Sequence, residues 1–248
     1  MSAGVPRTRV MAADQWLSSV TGLACYSAHA SGAEIGAGQL VALAGGRNAF
    51  FAAKVPVGEV AELERFLAAG FRIVDTNVTL ECPSAQYAGA REPAGVRPAA
   101  VSDREPVLEI AASAFRWSRF HSDPRFSRAL ADHVKRAWAE NCLAGSRGDE
   151  VLVVLDNGTP AGFLAVLKAG SAAVIDLVAV RPQRQGRGLG ETLTQAFAAR
   201  WASRAERLRV GTQLANTAAL RLYERLGFRV AEAKYVLHAH VRDGALMK

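Results

Sequence analysis

The chain has 248 residues and half of them are hydrophobic, which allows one large domain or two small ones and excludes a disordered protein. A formal net charge of +7 favours anionic partners such as phosphorylated cofactors or nucleotide-linked substrates, yet the arginines are scattered and not gathered with aromatics into a basic run, so nucleic acid is not an expected partner. Three widely spaced cysteines, Cys25, Cys82 and Cys142, support neither a disulfide framework nor a thiolate zinc site, and no metal is expected.

The N-terminal stretch MSAGVPRTRVMAADQW has no apolar core for a signal peptide, and no run in the chain reaches the roughly 20 apolar residues that span a bilayer. A soluble, cytoplasmic protein without a membrane partner is expected. Gly36-x-Gly38 has no apolar strand ahead of it and carries no phosphate-binding expectation. Val60 to Ala69 predicts a helix and Phe71 to Leu80 a strand. The Gly, Pro, Ala and Arg-rich stretch from Gly89 to Arg104 predicts a connector, dividing a lobe at 1–100 from a domain at 101–248.

Beyond it, Glu105 to Phe115 and Pro124 to Asn141 have helical apolar spacing, with the arginine-rich FRWSRFHSD between them. Residues 151–155 and 162–167 predict a hairpin around Asp156-Asn157-Gly158, and a third strand follows from Ala173 to Val180. A glycine-rich loop then opens a helix from Leu189 to Trp201, followed by a strand at Leu208 to Thr212, a helix at Thr217 to Leu226 and a strand at Phe228 to His238. The order predicts an α/β (α+β) fold with a mixed, mostly antiparallel sheet flanked by helices. LERFLAAGFRIV at 63–74 lines up with LRLYERLGFRVA at 220–231, with Phe66 where Tyr223 falls, which suggests that the first lobe is a smaller, degenerate copy of the second.

The chemistry concentrates in VIDLVAVRPQRQGRGLG, residues 174–190. A glycine-rich turn at a helix start points unpaired amides at one place, where the helix dipole adds positive charge, and phosphate binds well there. Gly186 and Gly188 leave room for close approach, and Arg184 and Arg187 can add charge-assisted contacts. No Gly-Lys-Ser/Thr follows, so this is not a Walker loop.

Gln183-x-x-Gly186-x-Gly188 after Leu177-Val178-Ala179-Val180 resembles the acetyl-CoA signature of GNAT acetyltransferases, and Asn216 to Tyr223 with Gly227-Phe228 is similar to their second signature. The resemblance spans roughly residues 104–238 and implies the GNAT fold with acetyl-CoA as co-substrate. It implies that Arg184, Gln185, Gly186, Arg187, Gly188, Leu189 and Gly190 hold the pyrophosphate. Val178 and Val180 would then pair with the pantetheine arm, an amide near Val178 would face the oxyanion, and Asn216 would bond the arm or fix its helix. Tyr223 would protonate the departing thiolate.

A base is also wanted. Asp176, placed by strand alternation on the side of Val174 and Val178, is the leading candidate, and His121 the second. His29, His133, His238 and His240 have no partner pattern and read as surface or core residues. Residues 113–145, with the preceding lobe, resemble acetyltransferases acting on nucleotide-linked 4-amino-4,6-dideoxyhexoses such as TDP-fucosamine. That resemblance makes Arg116, Arg119 and Arg125 candidates for a diphosphate, and Trp117 and Phe120 candidates for stacking on base or sugar. Acetylation of a protein N-terminus, polyamine or drug amine is the alternative, and a non-catalytic acyl-CoA sensor a third reading. A homodimer is compatible with all of them.

Overall fold

A computed structural model describes residues 11–28 and 35–247, so the first ten residues and His29 lie outside the described part. In chain order the elements are β1 (Met11–Ala13), α1 (Gln15–Thr21), β2 (Ala24–Ala28), α2 (Ala37–Ala44), β3 (Ala49–Pro56), α3 (Val60–Ala68), β4 (Arg72–Pro83), β5 (Val96–Pro98), α4 (Arg104–Ser113), α5 (Arg119–Ser122), α6 (Arg128–Leu143), β6 (Glu150–Asp156), β7 (Thr159–Ala169), β8 (Ala172–Val180), α7 (Leu189–Trp201), β9 (Arg207–Gln213), α8 (Thr217–Arg225), β10 (Arg229–Arg242) and β11 (Ala245–Leu246). Packing divides the chain into residues 1–76 with 233–248, and residues 77–232. The break thus falls after Thr76 and not near residue 100, because the end of β10 pairs with β3 while β4 from Asn77 onward pairs with β9.

In the first unit β2 lies parallel to β3, with β1 outside β2 and β10 antiparallel on the other side of β3. Among the described residues of 11–56, for which periodicity predicts no element, there are three strands and two helices. The first five positions of β3 are all buried, so AFFAA reads as a continuous apolar run without the alternation that marks a half-exposed strand, and only Lys54 is exposed. Phe51, Phe66, Phe71, Leu237 and Val241 pack in one core. The helix α1 starts where the Asp14 carboxylate accepts from the Leu17 amide at 2.8 Å, and ends at Gly22, whose φ of 72° is the left-handed cap glycine tolerates.

The second unit holds a sheet in the order β4-β9-β8-β7-β6-β5, antiparallel except for β8 and β9. The stretch expected to be a bare connector contributes β5, paired to β6 with Arg97 opposite Val153. Packed against one face are α4 and α6, through Leu108, Ala111, Ala139, Phe163 and Leu177. Against the other is α7, through Leu193, Phe197, Ile175 and Val210. The helix expected from Pro124 begins at Arg128, where Ser127 caps it by accepting from the Leu130 amide at 3.1 Å. No helix among the described residues is long and apolar enough to cross a membrane.

Candidate active site

Strands β8 and β9 pair only from Ala172 opposite Arg207 to Ile175 opposite Val210, although β8 continues to Val180 and β9 to Gln213. Beyond Val210 the two strands separate into a fork. The register of β8 against β7 tells which backbone groups line it. Gly162 sits opposite Val180, and the flanking bond runs from the Arg181 amide to the Ala161 carbonyl at 2.7 Å. That pattern marks Gly162 and Val180 as a non-hydrogen-bonded pair, so the amide and carbonyl of Val180, and by alternation those of Val178, turn away from β7 and toward the fork. The Gln185 side chain donates to the Val180 carbonyl at 3.1 Å and so occupies one of these groups.

At the open end of the fork the chain makes a short 3-10 turn at Pro182–Arg184 and enters α7. The amides of Arg184 and Gln185 are spent inside this turn, on the carbonyls of Arg181 and Pro182. Among the described residues the amides of Gly186 to Gly190 donate to nothing, which narrows the expected donor set to these five. Gly186 and Gly188 have φ of 78° and 79°, and a Cβ built on either would meet no atom within 4 Å. These glycines are needed for the left-handed backbone, and the space they leave is unfilled by protein. The two loop arginines are less available than their sequence implies. Arg184 Nε lies 2.7 Å from Asp156 Oδ2, and Arg187 Nη1 4.0 Å from the same oxygen.

Tyr223 lies on α8, in the same apolar cluster as Val178, Val180 and Leu189. The elements converge at Gly190, where a Cβ would come 3.9 Å from Leu222 and 4.0 Å from Val180. Only 4% of Tyr223 is exposed, and burial pushes its phenol well above the ordinary value, so it carries its proton throughout the neutral range. Its hydroxyl has no hydrogen-bond partner among the described residues and is not sealed from solvent. Asn216 caps α8 by accepting from the Ala219 amide at 3.3 Å and donates to Thr212 Oγ1 at 3.2 Å, which fixes the helix against the end of β9.

Neither candidate base sits as the sequence suggests. The pairing of β7 and β8 skips Asp176, since Val166 faces Ile175 and Ala165 faces Leu177. This bulge reverses the alternation, so Asp176 points to the side of α6 while Val178 packs on the side of α7. Its carboxylate accepts from Arg147 at 2.7 Å through both oxygens and from Trp138 Nε1 at 2.8 Å. Asp176 is a strut between β8 and α6. His121 is equally committed, with Nδ1 2.5 Å from Ser118 Oγ and Nε2 2.9 Å from Asp132 Oδ1, and its side chain only 2% exposed. Burial pulls its pKa below the usual imidazole value.

The arginine-rich segment is split. Arg116 and Trp117 are exposed, and Arg119 and Arg125 are half-buried. Phe120 is in the core, edge-on to Phe126 at 5.5 Å and covered by the Arg119 guanidinium, so it is not available to stack on a base or sugar. Elsewhere, Arg221, Glu224, Arg225 and Arg229 line an open hollow of about 520 Å³ along α8. Sequence reasoning passed over Asp156, Trp138, Arg147 and Lys135. The signal for Lys135 was present: it interrupts the buried row Ala131, Ala139 and Cys142 of α6 at helical spacing.

Residues 106–228 match the model of the acetyltransferase (GNAT) family. The chain is 34% identical over 137 residues to the spore coat polysaccharide biosynthesis protein SpsD of Bacillus subtilis, covering 55% of this chain and 47% of that protein. It thus spans about half the length of SpsD. It is 29% identical over 190 residues to the dTDP-fucosamine acetyltransferase of Escherichia coli O6:H1, covering 75% and 80% of the two chains. Among solved structures, a tandem GNAT protein from the clavulanic acid biosynthesis pathway superposes with a TM-score of 0.58 at 14% identity, over 88% of this chain and 76% of that one, a likeness of fold.

Proposed function

We propose, from the premise that the chain belongs to the acetyltransferase (GNAT) family through residues 106–228, that it transfers an acetyl group from acetyl-CoA to a primary amine. The observation that carries the reading is the fork of β8 and β9, where the backbone of Val178 and Val180 faces an unpaired edge beside five unused loop amides. These residues fit acetyl-CoA, which supplies a thioester-activated acetyl group. The amides of Gly186 to Gly190 take its pyrophosphate at the positive end of α7. The edge of β8 offers main-chain bonds to its amide-containing arm, as an added strand would use. The Val178 amide donates to the thioester oxygen as negative charge builds there.

The amine nitrogen bonds to the acetyl carbon while the carbon–sulfur bond breaks, and the Tyr223 hydroxyl gives its proton to the departing sulfur. With Asp176 held by Arg147 and His121 enclosed, the amine sheds its own proton to solvent, Tyr223 regains one from solvent, and Tyr223 is the one side chain assigned to proton transfer.

For the acceptor, the amino group of a nucleotide-linked amino-deoxysugar is the reading best supported. The likeness to the dTDP-fucosamine acetyltransferase favours it, and Arg116, Arg119 and Arg125 with Trp117 supply cations and an exposed ring of the kind a nucleotide diphosphate needs. The test is thiol release from acetyl-CoA across TDP- and UDP-linked 4-amino and 3-amino deoxysugars, with peptides, polyamines and aminoglycosides alongside. Turnover on a nucleotide aminosugar is expected. Turnover confined to the other amines contradicts the sugar assignment, and binding of acetyl-CoA without any turnover contradicts the enzyme.

A further inference from the structure

Lys135 stands on α6 with 8% of its surface exposed, on the side of the helix that meets the bulge of β8. Its Nζ lies 4.7 Å from the ring centres of both Phe115 and Trp138. Among the described residues it makes no hydrogen bond and no ion pair, and the Nζ is not sealed from solvent. The Arg147 guanidinium lies 4.7 Å from the Trp138 ring centre and holds both oxygens of Asp176. The charges that Lys135 feels are those of Arg119 and Arg147 against the one carboxylate of Asp176, with the Cys142 thiol nearby. Burial first, and then Arg119, pull its pKa down to about 8.

An ammonium almost wholly withdrawn from water, walled by two aromatic rings and left without a direct ion pair costs stability unless something compensates it. A structural lysine would be expected to pair with Asp176, yet Arg147 has taken that carboxylate at both oxygens. What Lys135 lacks is a direct anionic partner, and its Nζ, which is not sealed from solvent, is where one can enter. The bulge at Asp176 lies two residues before Val178 on β8, the strand whose edge lines the fork.

We propose that Lys135, framed by Phe115 and Trp138 and backed by Arg119 and Arg147, is an anion seat for the acceptor, taking a phosphate or carboxylate group and so positioning the amine. The inference rests on the acetyl-transfer reading and is independent of the sugar assignment. The low-polarity walls make the ion pair stronger than it would be at an open surface.

The test is calorimetric titration of the full chain, saturated with CoA, using TDP, inorganic pyrophosphate and glucuronate in turn. At least one anion is expected to bind, and Lys135→Met is expected to weaken it about tenfold or more, as loss of a charged partner does, with CoA affinity unchanged. Lys135→Arg, which keeps the charge, should hold the anion within a few-fold. Binding of TDP and pyrophosphate identifies phosphate as the recognised group, and binding of glucuronate alone identifies carboxylate. Lys135→Gln serves as a second variant should Lys135→Met fail to fold. The proposal is overturned if no anion binds the wild type, or if affinity is the same in Lys135→Met or Lys135→Gln. Failure of CoA itself to bind contradicts the transferase reading instead, and the anion titrations are then read by themselves.

Discussion

The segments from α3 into β4 and from α8 into β10 share one backbone device, and the aromatic residue before it carries a hydroxyl only in the second. In the first, the Phe71 amide donates to the Phe66 carbonyl at 3.0 Å across Gly70, whose φ is 95°. In the second, the Phe228 amide donates to the Tyr223 carbonyl at 3.0 Å across Gly227, whose φ is 82°. Both are left-handed helix stops that a glycine allows. Phe66 is 2% exposed and meets Phe71 edge-on at 5.0 Å, completing a core. Tyr223 is nearly as buried, and its ring stands 6.0 Å from Phe228, but its hydroxyl is unpartnered and unsealed. The α8 copy is also capped by Asn216, whereas α3 has no side-chain cap. The helix stop is thus reusable scaffolding, and the proposed reactivity depends on the phenol and on the fork that accompanies it.

Exchanging the two aromatics sharpens this contrast. Tyr223→Phe is expected to lower kcat by roughly 100-fold or more, the usual worth of a positioned acid, with acetyl-CoA affinity unchanged by calorimetry. The wild-type phenol, held protonated by burial, should also leave kcat without a fall near pH 10, where an ordinary tyrosine would ionise. Phe66→Tyr should cost about 1–3 kcal/mol in urea denaturation, because its hydroxyl enters a sealed core without a partner, and should leave kcat per folded molecule as it was. Asn216→Ala removes the cap that α3 never had and should cost about 1 kcal/mol of stability. The smallest effect belongs to Asp156→Asn. Releasing Arg184 to the pyrophosphate should lower the KM for acetyl-CoA by about two- to fivefold at low salt, corresponding to one surface ion pair, and the difference should fade as salt is raised.

Much of the second unit was legible because its elements advertise themselves. The apolar run at 173–180 followed by Gly186 and Gly188, and the spacing from Asn216 to Tyr223, place the loop and phenol by pattern alone. The repeat at Phe66 was legible for the same reason, down to its glycine. What escaped depended on partners distant in sequence. Residues 11–56 have no periodicity to read, since β3 is buried on both faces. Asp176 was placed by strict alternation, and a bulge, which exists only in the pairing with β7, moved it to the opposite face. His121 has an imidazole suited to proton transfer, but Ser118 and Asp132 claim both nitrogens. Phe120 and Trp117 are both aromatic residues in one basic segment, and only packing distinguishes the core residue from the exposed one. The tether of Arg184 to Asp156 spans a hairpin and could not be inferred from composition.

The central claim is that acetyl-CoA lies along the fork of β8 and β9 and into the loop before α7. Amide-resolved NMR of the full chain, recorded as acetyl-CoA is added, tests it without knowledge of the acceptor. The account predicts shifts and slowed hydrogen exchange concentrated at Val178, Val180 and Gly186 to Gly190, with the equivalent helix stop at Gly70 and Phe71 unchanged. Saturable binding that leaves those seven amides unperturbed would contradict it.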